Sequence, residues 1–156
     1  MSLTTELELD RPLQDVRHEA VLNIVRTATM LSQRGSTLFR KYGLTEAQFN
    51  VLFSLKYKER PWTQSDLGKR LVVTRASVTS VLDKLEEKGL VERIAVSGNR
   101  RIYHVELTEK GHTLIAKVEP VYRSIVHRVL DGLSEGDLRG MIMQMETIRT
   151  ALHDED

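Results

Sequence analysis

Residues 63–111 read TQSDLGKRLVVTRASVTSVLDKLEEKGLVERIAVSGNRRIYHVELTEKG, and the order of elements in this stretch decides the fold. Thr63-Gln-Ser-Asp66 has the spacing of a helix start, with a hydroxyl and a carboxylate three residues apart to satisfy the first unpaired N–H groups. It predicts a short helix through Leu67, Lys69, Arg70 and Leu71. Val72-Val73-Thr74 then makes a turn, and Thr74 is suited to cap a second helix that runs to Lys88 and stops at Gly89. Within that helix Val78, Val81, Leu82 and Leu85 recur at three- and four-residue steps, so one stripe faces a core. The opposite surface carries Arg75, Ser77, Thr79, Ser80, Asp83 and Lys84. Two extended runs follow, over residues 90–96 and 102–107. In the second, Tyr103, Val105 and Leu107 alternate with His104 and Glu106. Ser97-Gly98-Asn99-Arg100 between the runs reads as a hairpin tip, with Gly98 supplying the positive φ of a tight turn.

Working outward, residues 13–42 form a long amphipathic helix on the spacing of Leu13, Val16, Ala20, Val21, Ile24, Val25, Ala28 and Leu31, closed by Gly43. Thr45 and Gln48 make a capping box for a helix whose buried stripe is Phe49, Leu52, Phe53 and Leu55, and Pro61 ends that unit. On the other side Thr108 caps a helix carrying Leu114, Ile115, Val118, Val121, Tyr122, Ile125, Val126 and Val129. Pro120 falls inside it, which predicts a kink or a break. Ser134 and Asp137 open the last helix, whose stripe is Leu138, Met141, Ile142, Met145, Ile148 and Leu152. The predicted class is mainly α with a small β-hairpin (α+β): four helices, the hairpin, then two helices.

Bulk properties narrow the function. The chain has 156 residues, 40% of them hydrophobic and 29% charged, which is ordinary globular composition. It has no cysteine, so disulfides, thiolate zinc sites, thiol catalysis and cysteine redox sensing are excluded. No apolar run approaches a membrane span. Residues 1–10 are acidic and lack a signal-peptide layout, so the cytoplasm is the expected location. No G-x-S-x-G, H-E-x-x-H or Gly-rich phosphate loop is present, and neither an enzyme nor a bound cofactor is expected. Net charge is only +1, yet residues 60–112 hold ten basic and seven acidic residues, a local excess of three positive charges. A phosphate-contacting surface needs such an excess.

A short helix, a tight turn and a second helix with a small-polar and basic face fit a helix-turn-helix. Hydroxyls, amides and Arg are the side chains that read base edges in the major groove. The second helix alone fits a solvated face equally well. The hairpin shifts the balance, because Arg100 and Arg101 lie at or beside its tip and a protruding Arg suits a narrow minor groove. The expected DNA contacts are Thr63, Gln64, Ser65, Thr74, Arg75, Ser77, Thr79, Ser80, Lys84, Asn99, Arg100 and Arg101. The competing class is a winged-helix adaptor that presents the same helix to a protein.

Thr63-Gln-Ser-Asp-Leu67, Val73-Thr-Arg-Ala-Ser-Val-Thr79, Leu82-Asp-Lys-Leu-Glu-Glu-Lys-Gly-Leu-Val91 and Asn99-Arg-Arg101, followed by Val105-Glu-Leu-Thr-Glu-Lys-Gly111, resemble the MarR family of bacterial regulators. The resemblance covers nearly the whole chain. It implies a winged helix-turn-helix over residues 44–111 and a helical dimerisation lobe from residues 11–43 and 112–153. It also implies a homodimeric repressor on double-stranded DNA, released by a small-molecule effector. The helix from Thr74 would enter the major groove and the hairpin the minor groove. Two positions depart from the family pattern. Asn99 stands where an Asp usually precedes the paired arginines, which leaves open the arginine that enters the minor groove. Ser80 stands where many members carry a basic residue.

The remaining candidates are weaker. Met141, Met143 and Met145 are two residues apart and point to different faces, which indicates packing rather than a soft-metal site. The five histidines, His18, His104, His112, His127 and His153, show no i, i+3 or i, i+4 pairing, and no metal is expected. Trp62 reads as a core anchor linking the two lobes. The resemblance implies small anionic aromatic effectors bound between lobe and winged domain, where His18 and Arg17 could meet a carboxylate.

Overall fold

The computed structural model describes residues 3–70, 75–96 and 99–154, with side chains described outside 70, 75–77 and 99–101. The expected turn at 72–74, the Thr74 cap, Gly98 and the last two residues of the tail lie outside the described residues. The elements run α1 (Leu3–Glu6), α2 (Val16–Arg40), α3 (Glu46–Lys56), β1 (Trp62–Thr63), α4 (Gln64–Arg70), α5 (Arg75–Glu87), β2 (Val91–Val96), β3 (Asn99–Leu107), α6 (Glu109–Leu130) and α7 (Glu135–Asp154). The chain divides into two units, Met1–Glu119 and Pro120–Asp156.

In the first unit, local capping chemistry sets the helix ends. Asp15 accepts from the Arg17 N–H at 2.9 Å and starts α2 three residues later than the apolar spacing predicted. Gly43, at φ +69°, turns the chain back so that the Leu44 N–H reaches the Phe39 carbonyl at 3.0 Å. Thr45 and Gln48 form the expected reciprocal box, at 3.2 and 3.1 Å. Gly89, at φ +65°, closes α5 in the same manner as Gly43, with the Leu90 N–H on the Leu85 carbonyl.

The core of this unit gathers one face from each element. Phe39 of α2 stacks on Phe49 of α3, ring centroids 4.1 Å apart. Leu52, Leu55, Leu67, Val78, Leu82, Leu85, Val105, Ile115 and Val118 complete it, all buried. The i, i+3, i+4, i+7 stripe of α5 therefore packs as its spacing predicted, with Val81 half-buried at its edge. Lys56 and the Tyr57 hydroxyl both donate to the buried Glu119 carboxylate, tying the end of α3 to α6.

The sheet departs from the expected two-stranded hairpin. Its order is β1-β3-β2, all antiparallel. Trp62 is not a core anchor; it is a half-buried strand residue opposite Val105. A two-residue strand has no alternation to reveal it, and only β3 pairing creates it. The register breaks between Ala95, opposite Tyr103, and Val96, opposite Asn99. Arg100, Arg101 and Ile102 fall within this irregularity, so Asn99 and Arg100 belong to β3 rather than to the tip, and β3 begins three residues earlier than predicted.

A kink or a break was expected at Pro120; α6 runs through it without a break. Proline removes a single N–H and the flanking turns keep their bonds, so the helix continues. In the second unit, Ser134 and Asp137 cap α7 as predicted. The Ser134 hydroxyl donates to Asp137 at 2.6 Å and its N–H does so at 3.1 Å. These bonds, the hydroxyl's first, hold the Asp137 carboxyl below its ordinary range. No residue of α7 is buried: Ile142 is 54% exposed and Leu152 60%. The apolar stripe legible in the sequence is real, and in the single chain it faces solvent.

Candidate nucleic-acid interface

The candidate surface is built on the α4–α5 pair. Thr63 and Asp66 cap α4 reciprocally: the Thr63 N–H and hydroxyl donate to Asp66 Oδ2 at 3.0 and 2.9 Å, and the Asp66 N–H donates to Thr63 Oγ1 at 3.2 Å. The Thr63 hydroxyl proton is thus engaged within the chain. Gln64 Nε2 donates to Thr79 Oγ1 at 2.6 Å, which joins the first turn of α4 to the exposed side of α5. The Thr79 oxygen is the acceptor of this bond, and a hydroxyl that accepts can also donate its own proton.

Ser65, Thr79, Ser80 and Lys84 are exposed, whereas Thr63 and Gln64 are half-buried. Arg75 and Ser77 lie in the first turn of α5, and Asn99, Arg100 and Arg101 lie in β3. The structure therefore brings Gln64 and Thr79 into direct contact and sets Ser80 and Lys84 one turn apart on the helix carrying Thr79. A cleft of about 570 Å³ opens alongside, lined among others by Thr63, Gln64, Ser65, Lys69, Arg93 and Tyr103. Arg17 and His18 are both exposed in the first turn of α2. Among the described residues, no three His, Asp or Glu side chains converge as a metal cage.

Sequence reasoning missed the ties that hold α5 in place. Lys88 Nζ donates to the Gly43 carbonyl at 2.7 Å and to Gln48 Oε1 at 3.0 Å, fixing the end of α5 against the α2–α3 junction. Lys110 Nζ donates to the Lys88 carbonyl at 2.6 Å, a cation where the helix leaves carbonyls unpaired. Arg93 on β2 reaches Asp83 at 2.6 Å and also pairs with Glu86. Its partial burial opposes the charge, but the hydrogen bonds to Asp83 and Glu86 outweigh that cost and hold the guanidinium still more firmly protonated. Lys88 had a visible signal, since it stands in the Lys-Gly step that ends α5. Arg93 had none beyond its charge.

Comparison with known proteins agrees with this geometry. Residues 44–103 match the model of the MarR family. The chain is similar to the HTH-type transcriptional regulator PecS of Dickeya dadantii, 28% identical over 143 residues that cover 88% of this chain and 86% of PecS. It is similar to the transcriptional repressor MprA of Escherichia coli, 31% identical over 105 residues, which are 67% of this chain and 60% of MprA. It also resembles the M. tuberculosis transcriptional regulator MosR, solved in complex with DNA, with a TM-score of 0.68 and 28% identity over 85% of this chain and 97% of that one. Residues 44–103 of the chain belong to the MarR family of winged helix-turn-helix transcriptional regulators, and the chain is similar to such regulators over most of its length.

Proposed function

We propose that the chain is a sequence-specific repressor that binds double-stranded DNA as a homodimer in the cytoplasm, without catalytic activity of its own. The observation that carries this reading is the joined α4–α5 surface, where Gln64 holds Thr79 beside exposed Ser80 and Lys84. In this reading Thr63, Gln64, Ser65, Thr74, Arg75, Ser77, Thr79, Ser80 and Lys84 address the major groove and its phosphates. Asn99, Arg100 and Arg101 address the minor groove. MosR, whose structure contains DNA, and MprA, whose name records a repressor, support the same assignment.

Residues 44–111 form the DNA-binding domain, and residues 11–43 and 112–153 form the dimerisation lobe. Exposed apolar side chains on α2 (Val21, Val25, Leu31), on α6 (Val121, Val129) and along α7 support a second copy as their cover. Salt dependence tests DNA binding against the adaptor alternative. Affinity for an operator obtained by binding-site selection should fall linearly with log salt, and Arg75→Ala and Arg101→Ala should each cost about 1–3 kcal/mol. No salt-dependent binding to any duplex would favour the adaptor.

Release by a small anionic aromatic effector completes the proposal. Arg17 and His18 stand exposed at the start of α2, where their side chains offer a cation and an imidazole N–H to a carboxylate. Titration of a salicylate-like ligand should show weaker binding to His18→Ala than to the wild type. Equal affinity would remove His18 from the site.

A further inference from the structure

We propose that Arg93 is a positioning residue for DNA reading: it clamps the wing to the reading helix so that both grooves are addressed by one rigid unit. This rests on the reading of α5 and the wing as DNA-binding elements. Arg93 lies on β2 opposite Val105, and its side chain crosses from the sheet to α5. There Nη2 donates to Asp83 Oδ1 at 2.6 Å and Nη1 donates to Glu86 Oε2. Asp83 and Glu86 are three residues apart, one helical turn, and so present their carboxylates side by side. A planar guanidinium spans two such carboxylates, whereas an ammonium is a point charge.

The place of this contact along the wing gives it leverage. Toward the base of the sheet, Val91, Val105 and Leu107 are buried. Toward the tip, Ile94, Ile102 and Tyr103 are 40–47% exposed, and apolar packing no longer fixes the strands. Among the described residues, Arg93 is the outermost ion-paired tie between wing and reading helix before Asn99, Arg100 and Arg101. Its side chain is 21% exposed and faces two carboxylates, so the cluster carries a net negative charge. Such a cluster repels phosphate. Arg93 therefore acts through geometry, by setting where the arginine pair lies relative to α5.

Dimethyl sulfate footprinting separates the two grooves, since it methylates guanine N7 in the major groove and adenine N3 in the minor groove. On the wild-type operator both kinds of protection are expected. Arg93→Met should lose the adenine N3 protections while keeping the guanine N7 protections at raised protein concentration, with affinity down about tenfold. The double variant Asp83→Asn, Glu86→Gln should give the same pattern, although it removes negative charge. Arg93→Lys, which retains one ion pair and the fold, should be intermediate. Uniform loss of both kinds of protection in Arg93→Lys would overturn the proposal. So would a complete footprint in Arg93→Met, or a complete and tighter footprint in the acid double variant, which would make Arg93 a phosphate contact. Absence of any wild-type footprint would instead remove the DNA-binding reading.

Discussion

Gly111→Ala is expected to destabilise the protein by about 3 kcal/mol, because overpacking against a rigid neighbour lies at the upper end of the usual range. A Cβ at position 111 would stand 2.1 Å from the Leu90 carbonyl oxygen and 3.3 Å from Leu107 Cδ2. The obstacle is backbone, so no rotamer change relieves it. The Leu90 carbonyl also accepts from the Thr108 N–H at 3.2 Å, and the Gly111 N–H donates to the Thr108 hydroxyl at 3.1 Å. Moving the first turn of α6 away would break the Thr108–Leu90 bond and part α6 from β2 and β3. Alanine's better helix propensity returns only about 1 kcal/mol. Gly68→Ala in α4 is the control, since its Cβ would meet Val78 at an ordinary 3.8 Å. Thermal unfolding at one fixed protein concentration should lower the Tm of Gly111→Ala by about 6–12 °C. An unchanged Tm for Gly111→Ala would show that the α6 corner is not packed as described.

The second large effect concerns association. Ile142→Asp places a charge in the middle of the α7 apolar stripe, at a side chain 54% exposed in the single chain. For a monomer this change is harmless. For a dimer closed over that stripe it buries an unpaired charge, and the two half-sites are no longer read by one body. Loss of that linkage should weaken operator binding by roughly 10²–10⁴-fold. Sedimentation should show a monomer for Ile142→Asp and a dimer for Thr147→Asp, which changes the side of the helix opposite the stripe. Equal sedimentation and equal DNA affinity for both variants would exclude α7 from the interface.

What the sequence revealed and what it hid follows from the range of the forces involved. Thr45 with Gln48, Thr63 with Asp66 and Ser134 with Asp137 act within four residues, so their caps are legible in order and at the right places. The α5 stripe was equally legible, because helical periodicity alone places Val78, Leu82 and Leu85 on one face. The Trp62–Thr63 strand was invisible because its partners, Val105 and His104, lie some forty residues away. The early start of β3 at Asn99 depends on a register irregularity that no local residue signals. Lys88 and Arg93 read as ordinary surface charges until the fold brings Gly43, Gln48, Asp83 and Glu86 to them. The candidate DNA contacts were legible in the sequence only as residue types, and the Gln64–Thr79 bond that couples two of them was not legible at all.

The most direct test of the central claim is a footprint of the purified protein on an operator recovered by binding-site selection. The expected result is two protected, inversely related half-sites about 10 base pairs apart, each with major-groove protection and flanking minor-groove protection. Protection confined to a single half-site, or no protected duplex at all, would contradict it.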